Sequence, residues 1–152
     1  MKVLIYNPPF GKHFVRAARS AFRSVSRVQR HPDYLLYATA VLEREGHHCK
    51  FIDGAAVNLS PKAFFEETVP FMPEMAVVHT TTPSIYNDIS YAEKIKTLTG
   101  AFTVLVGTHV SALPSETLGL SSYVGRRSER RVRLHTTELG SSAGEGKLFK
   151  QG

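Results

Sequence analysis

The chain has 152 residues, a 42% apolar fraction and a formal net charge of +6, the dimensions of one globular domain with room for a real core. No apolar run reaches the roughly 18 residues that a membrane-spanning helix needs, and Met1-Lys2 leads into a short apolar run that lacks a signal-peptide pattern, so a cytoplasmic location with no transmembrane segment is expected. The single Cys49 excludes an internal disulfide and any iron–sulfur cluster held by this chain's own thiolates.

Lys2 to Tyr6 reads as a short buried strand, stopped by Asn7-Pro8-Pro9 because two prolines cannot continue a central ladder. Residues 12–30 then hold six basic residues and no acid, at spacings of 4, 3, 4, 4 and 3. Residues 126–152 carry a further net +4, which leaves the remainder of the chain at net −4. Basicity therefore sits in one insertion (residues 12–33) and one tail, and the body offers no nucleic-acid surface. The insertion admits two readings. One is a basic amphipathic helix for a membrane surface or polyphosphate; the preferred one is a partly irregular excursion over the sheet's carboxyl edge, with solvated arginines.

Tyr34 to Glu45 has helical spacing, with Leu35, Ala38 and Leu42 on one face and Gly46 as its stop. Cys49 to Asp53 is the second strand. Ser60-Pro61 is an N-cap followed by a proline at the first helical position, and that helix runs to Pro70. Met75 to His79 is the third strand, and Thr80-Thr81-Thr82-Pro83-Ser84 feeds a helix over about Ser84 to Leu98 that Gly100 closes. Phe102 to Val106 is the fourth strand, ending in Gly107-Thr108-His109-Val110-Ser111. A short helix near Pro114 to Leu118 leads to a fifth strand at 122–124. Strands and helices alternating at this interval imply right-handed βαβ units and a parallel sheet covered on both faces. The domain is expected to occupy residues 1–125, and the low-complexity, basic stretch 126–152 reads as a disordered or out-of-family tail.

In such folds ligands bind outside the carboxyl ends of the strands. The loops there are Asn7 to Pro9, Asp53-Gly54, Thr80 to Ser84 and Gly107 to Ser111. Their hydroxyls, with the free N–H groups of the following helices, suit an anionic or amide-rich ligand; taken singly, each residue serves equally well as a cap or turn. Two phosphate motifs are absent, GxGxxG after the first strand and GxxxxGK[ST] anywhere. His79 and His109 close neighbouring strands, yet without a carboxylate nearby they make a thin zinc site, and no protein-held metal is expected. Ser111, His109 and Asp53 form a triad only on paper, since no GxSxG elbow supports it.

Taken together, Val3 to Pro9, Tyr37 to Glu43 with Gly46-His47, Phe51 to Asp53, Thr80 to Ser84, and Val104 to Pro114 with Glu116 to Leu118 resemble the N-terminal cobalamin-binding domain of B12-binding radical SAM proteins. The nearest subgroup is similar to magnesium-protoporphyrin monomethyl ester cyclases. The resemblance implies a flavodoxin-like, Rossmann-like three-layer α/β sandwich with five parallel strands and cobalamin across its carboxyl edge. Asn7, Pro8, Pro9, Thr80, Thr81, Thr82, Pro83, Ser84, Gly107, Thr108, His109, Val110 and Ser111 would border the cofactor. It would be bound without a protein histidine below cobalt, because Ala55 stands where the D-x-H-x-x-G pattern carries its histidine. The family continues into an Arg-Gly-Glu motif and a radical SAM barrel with CxxxCxxC. Gly125-Arg126-Arg127-Ser128-Glu129 stands here instead, with no such cysteines, so the chain reads as truncated before its barrel, not catalytic alone, and dependent on a barrel supplied by another chain. The alternative expectation is a cofactor-free flavodoxin-like docking domain.

Overall fold

Short apolar runs stopped by proline, glycine or a small polar residue make the strands, and each stop begins a loop on the same edge. In the computed structural model, which describes residues 1–17 and 20–121, these strands are β1 (Lys2–Asn7), β4 (His48–Asp53), β5 (Met75–His79) and β6 (Phe102–Val106). They form a parallel sheet in the order β4-β1-β5-β6. Between β1 and β4 in the chain lies a separate antiparallel pair, β2 (Phe14–Ala17) and β3 (Ser20–Arg23). The helices are α1 (Asp33–Arg44), α2 (Pro61–Thr68), α3 (Ile85–Thr99), α4 (Thr108–Ala112) and α5 (Pro114–Gly119).

The period of two along each strand sorts side chains onto two faces. Leu4, Tyr6, Ile52, Ala76 and Val78 face α2 and α3, where they pack on Phe64, Tyr91, Ala92 and Ile95. Tyr6, Phe64, Phe65 and Tyr91 interlock there, Phe64 and Tyr91 edge to face and Phe65 stacked on Tyr91 at 5.3 Å. Val3 and Ile5, with Cys49, Phe51, Met75, Val77 and Val106 partly buried around them, face α1 and its Leu35 and Leu42. Among the described residues α1 lies over this second face, seated on β4 and β1. Met75, Val77, Val104 and Val106 therefore stay half-buried and Phe102 is 46% exposed.

Strand and helix positions agree with the sequence pattern to within a residue or two. Ser60 caps α2 by accepting from the Ala63 amide at 3.1 Å with Pro61 behind it, as its sequence required. Among the described residues the sheet has four strands; the fifth expected at 122–124 lies outside them, as does the tail 126–152. The basic stretch forms no helix: β2 and β3 pair antiparallel as Phe14↔Arg23 and Arg16↔Ala21, ordered by period two. Its arginines are not all solvated, because Arg16 is 1% exposed. The short helix α4, immediately after Gly107, was not legible in the sequence.

Candidate functional site

The strand order reverses between β1 and β5, since the chain leaves β1 toward β4 on one side and returns to β5 on the other. Ligands of open α/β sheets bind outside the carboxyl ends at such a point, and here Asn7 at the end of β1 meets His79 at the end of β5. The Asn7 Oδ1 lies 2.8 Å from His79 Nδ1. The Asn7 Nδ2 donates to the Arg16 carbonyl at 3.4 Å and also toward the Asp53 carboxylate, which it helps to hold down against the upward push of burial.

Against these strand ends the β2–β3 pair buries Arg16. Its Nη2 donates to Asp88 Oδ2 at 2.5 Å, to Ser84 Oγ at 2.7 Å and to the His79 carbonyl at 3.1 Å, and its Nη1 donates to the Pro8 carbonyl at 3.3 Å. Both ions of the Arg16–Asp88 pair are fully buried. Asp88 Oδ2 also accepts from Ser84 Oγ at 2.8 Å and from the Thr81 amide at 3.1 Å. Burial raises the Asp88 carboxyl above its ordinary range, and Arg16, Ser84 and Thr81 oppose that rise. Four side-chain atoms of the described residues are sealed and unpartnered: Tyr6 Oη, Arg16 Nε, Asp88 Oδ1 and His109 Nε2. Tyr6 feels the Asp88 charge, which together with burial pushes its phenol well up.

The expected site residues come together in two groups that differ in exposure. Asn7, Pro8, Pro9, Thr80, Thr81, Ser84 and His109 are buried, Gly107 and Val110 are half-buried, and Thr82, Pro83, Thr108 and Ser111 are exposed. Most loop hydroxyls are spent internally. Thr80 Oγ1 donates to the Val106 carbonyl at 2.9 Å, and Thr81 and Ser84 share a hydroxyl contact at 2.7 Å. The loops after β5 and β6 are joined, because His109 Nδ1 lies 3.2 Å from Thr82 Oγ1. Gly107 makes the closest approach: a Cβ there would lie 2.3 Å from the Thr80 carbonyl oxygen and 2.8 Å from His79 Cδ2, and its φ of +115° already disfavours a side chain. Asp53 Oδ1 accepts from the Ala56 amide at 3.1 Å and His109 turns to Thr82, so the paper triad with Ser111 is not assembled.

The site is a buried polar cluster with two imidazoles, His79 and His109. Burial, reinforced by Arg16, lowers His79 to about 4, so its ring is neutral at physiological pH. With Oδ1 of Asn7 as acceptor, the proton sits on Nδ1 and the lone pair on Nε2. Among the described residues no group of three or more His, Cys, Asp or Glu could hold a bare metal ion. Sequence reasoning missed Arg16 and Asp88. Arg16 is one of six evenly spaced basic residues and Asp88 an ordinary helical acid, and the chain separates them by 72 positions.

Comparison with known proteins gives one informative likeness, an uncharacterized methyltransferase of Pyrococcus horikoshii, 29% identical over 119 residues. The aligned region covers 78% of this chain and 24% of that protein, so the chain spans about a quarter of its relative's length. No family model matches the chain, and no solved structure matches it. Among the described residues no helix is long and apolar enough to cross a membrane.

Proposed function

We propose that this chain is a corrinoid-binding module of the kind joined to radical SAM methyltransferases and cyclases, with the catalytic barrel provided elsewhere. The observation that carries the reading is the meeting of the loops after β5 and β6 beside the β1/β5 switch point, where Gly107 packs against Thr80 and His79 and His109 reaches Thr82. The resemblance of five ordered motifs and the likeness to a protein named as a methyltransferase support it. When bound, a corrinoid supplies a cobalt that carries a methyl group or an electron.

The residues of this chain would bind and orient. Thr82, Pro83, Thr108 and Ser111 form the exposed rim that a large, amide-rich ring could touch. Arg16, Ser84 and Asp88 lock the floor beneath it, since three donors converge on one Asp88 oxygen. His109, fixed by Thr82, keeps a sealed Nε2 with no partner.

Hydroxocobalamin incubated with the purified chain should co-elute with it in gel filtration, read by the visible absorbance of the corrin. A colourless protein peak overturns the reading and leaves a cofactor-free docking domain. Thr108→Gly removes an exposed side chain from the rim and should tighten retention, because less side chain then crowds a ligand lying beside Gly107.

A further inference from the structure

We infer that two copies of this chain associate face to face through α1, each setting that helix on the β5–β6 half of the other's sheet. The surface lies on a face of the sheet and not at its carboxyl end, so the inference goes beyond the corrinoid reading and does not depend on it.

The composition of α1 is the first observation. Of its 12 residues, Leu35 is buried and Thr39 and Leu42 are half-buried on the sheet side, and the rest are exposed. Among the exposed residues are Tyr34, Leu36, Tyr37, Ala38, Ala40 and Val41, and no charge interrupts the helix between Asp33 and Glu43. At 3.6 residues per turn, Tyr34, Ala38 and Val41 line one flank, Leu36 and Ala40 the other, and Tyr37 the side opposite Leu35 and Leu42. A helix at a protein surface turns polar residues to solvent, as α2 does with its exposed Lys62, Glu66 and Glu67; a helix apolar all round is a buried one.

The second observation is the half of the sheet beside α1. That helix sits on β4 and β1. Across β5 and β6, Met75 pairs with Phe102 and Val77 with Val104. On the α1 face Met75, Val77, Val104 and Val106 stay half-buried and Phe102 is 46% exposed, although parallel sheets are ordinarily covered on both sides. Two strands about 4.8 Å apart span roughly 10 Å, the width of one helix with its side chains.

Ridge and trough therefore lie next to each other on one face, and a two-fold axis running along the strands between two such faces makes them complementary. It carries α1 of each copy onto β5 and β6 of the other, an isologous contact that gives each sheet a second helix. Tyr34, Leu36, Tyr37, Val41 and Phe102 are 37–70% exposed and together present on the order of 500 Å² per copy, so the pair removes about 1,000 Å² from water, the size at which specific interfaces begin. The chain's own stretch 126–152, at net +4 and without apolar periodicity, has no comparable stripe to lay on that half-sheet.

Sedimentation equilibrium of the full chain over about 1–100 μM should find twice the chain's mass at the upper end. Tyr37→Lys and Phe102→Lys, which alter side chains exposed in the single copy, should each raise the dissociation constant about tenfold or more and leave the far-ultraviolet circular dichroism unchanged. A benzophenone side chain placed at position 37 should, on irradiation, join two chains with the linked peptide in β5 or β6, a readout that decides the matter if a lysine variant fails to fold. A single-chain mass at every concentration, or a dimer indifferent to both substitutions, overturns the inference. So does a link from position 37 to residues 122–152 of its own chain, which would make that stretch the cover.

Discussion

Arg16 and Asp88 show how one residue can hold a loop to a sheet. Two buried unit charges cost several kcal/mol each to desolvate, and good geometry with extra hydrogen bonds is what repays that cost. Ser84, the Thr81 amide and two strand-end carbonyls supply those bonds. Removing one partner strands the other, so Arg16→Met should cost about 3–5 kcal/mol in urea unfolding. Arg16→Met combined with Asp88→Leu should recover most of the loss, since a well-packed apolar pair avoids both desolvation terms. His79 makes a pH prediction. Its folded value of about 4 lies below the ordinary 6.5, so the unfolded chain binds its proton more tightly and the contribution of a neutral His79 is present above pH 6.5 and lost as pH falls toward 4. The full difference is about 3 kcal/mol. Asp53 and Asp88, raised by burial, act in the opposite sense at lower pH, so the clean measurement is the difference between wild type and His79→Gln: the variant's unfolding free energy should vary less between pH 7 and 4.

At the scale of elements, the ends of β5 and β6 are closely joined. The Thr80 amide and hydroxyl both donate to the Val106 carbonyl, which extends the ladder one residue past the strand, and Gly107 then turns into α4 with a φ only glycine adopts readily. Gly107→Ala forces a carbon to within 2.3 Å of a backbone oxygen, where neither side can yield by a rotamer change. It should cost about 3 kcal/mol or more, read from the denaturant midpoint. Thr108→Gly, one residue on and exposed, should cost less than about 1 kcal/mol, the loss expected for glycine in a short helix. The contrast separates a residue the turn needs from one that only borders the rim.

For the whole molecule, the two faces of the sheet are unequal. Parallel sheets are ordinarily covered on both sides, and among the described residues α2 and α3 seal one side while α1 serves the other. The neighbours Val77 and Val78 on β5 sample the two faces with the same side chain. Val78, fully buried, should lose about 2 kcal/mol or more on truncation to alanine, and half-buried Val77 about half of that, measured by thermal or urea unfolding. Equal losses would mean that the α1 side is covered as thoroughly as the other.

What the sequence determined by itself is local in origin. Apolar runs of strand length, the Ser60-Pro61 start, the Gly46 and Gly100 stops and the Pro8-Pro9 break are short-range preferences, and the four strands and three longer helices stand where those signals put them. The parallel order and the meeting of the loops after β5 and β6 also follow, because right-handed crossovers leave few alternatives. Tertiary structure alone decided which charge is buried, which nitrogen of His79 keeps its lone pair, and why position 107 must be glycine. Basic residues at helical intervals became a hairpin because pairing β2 with β3 buries Val15 and delivers Arg16 to a carboxylate 72 positions away. No periodicity within the segment encodes such a partner.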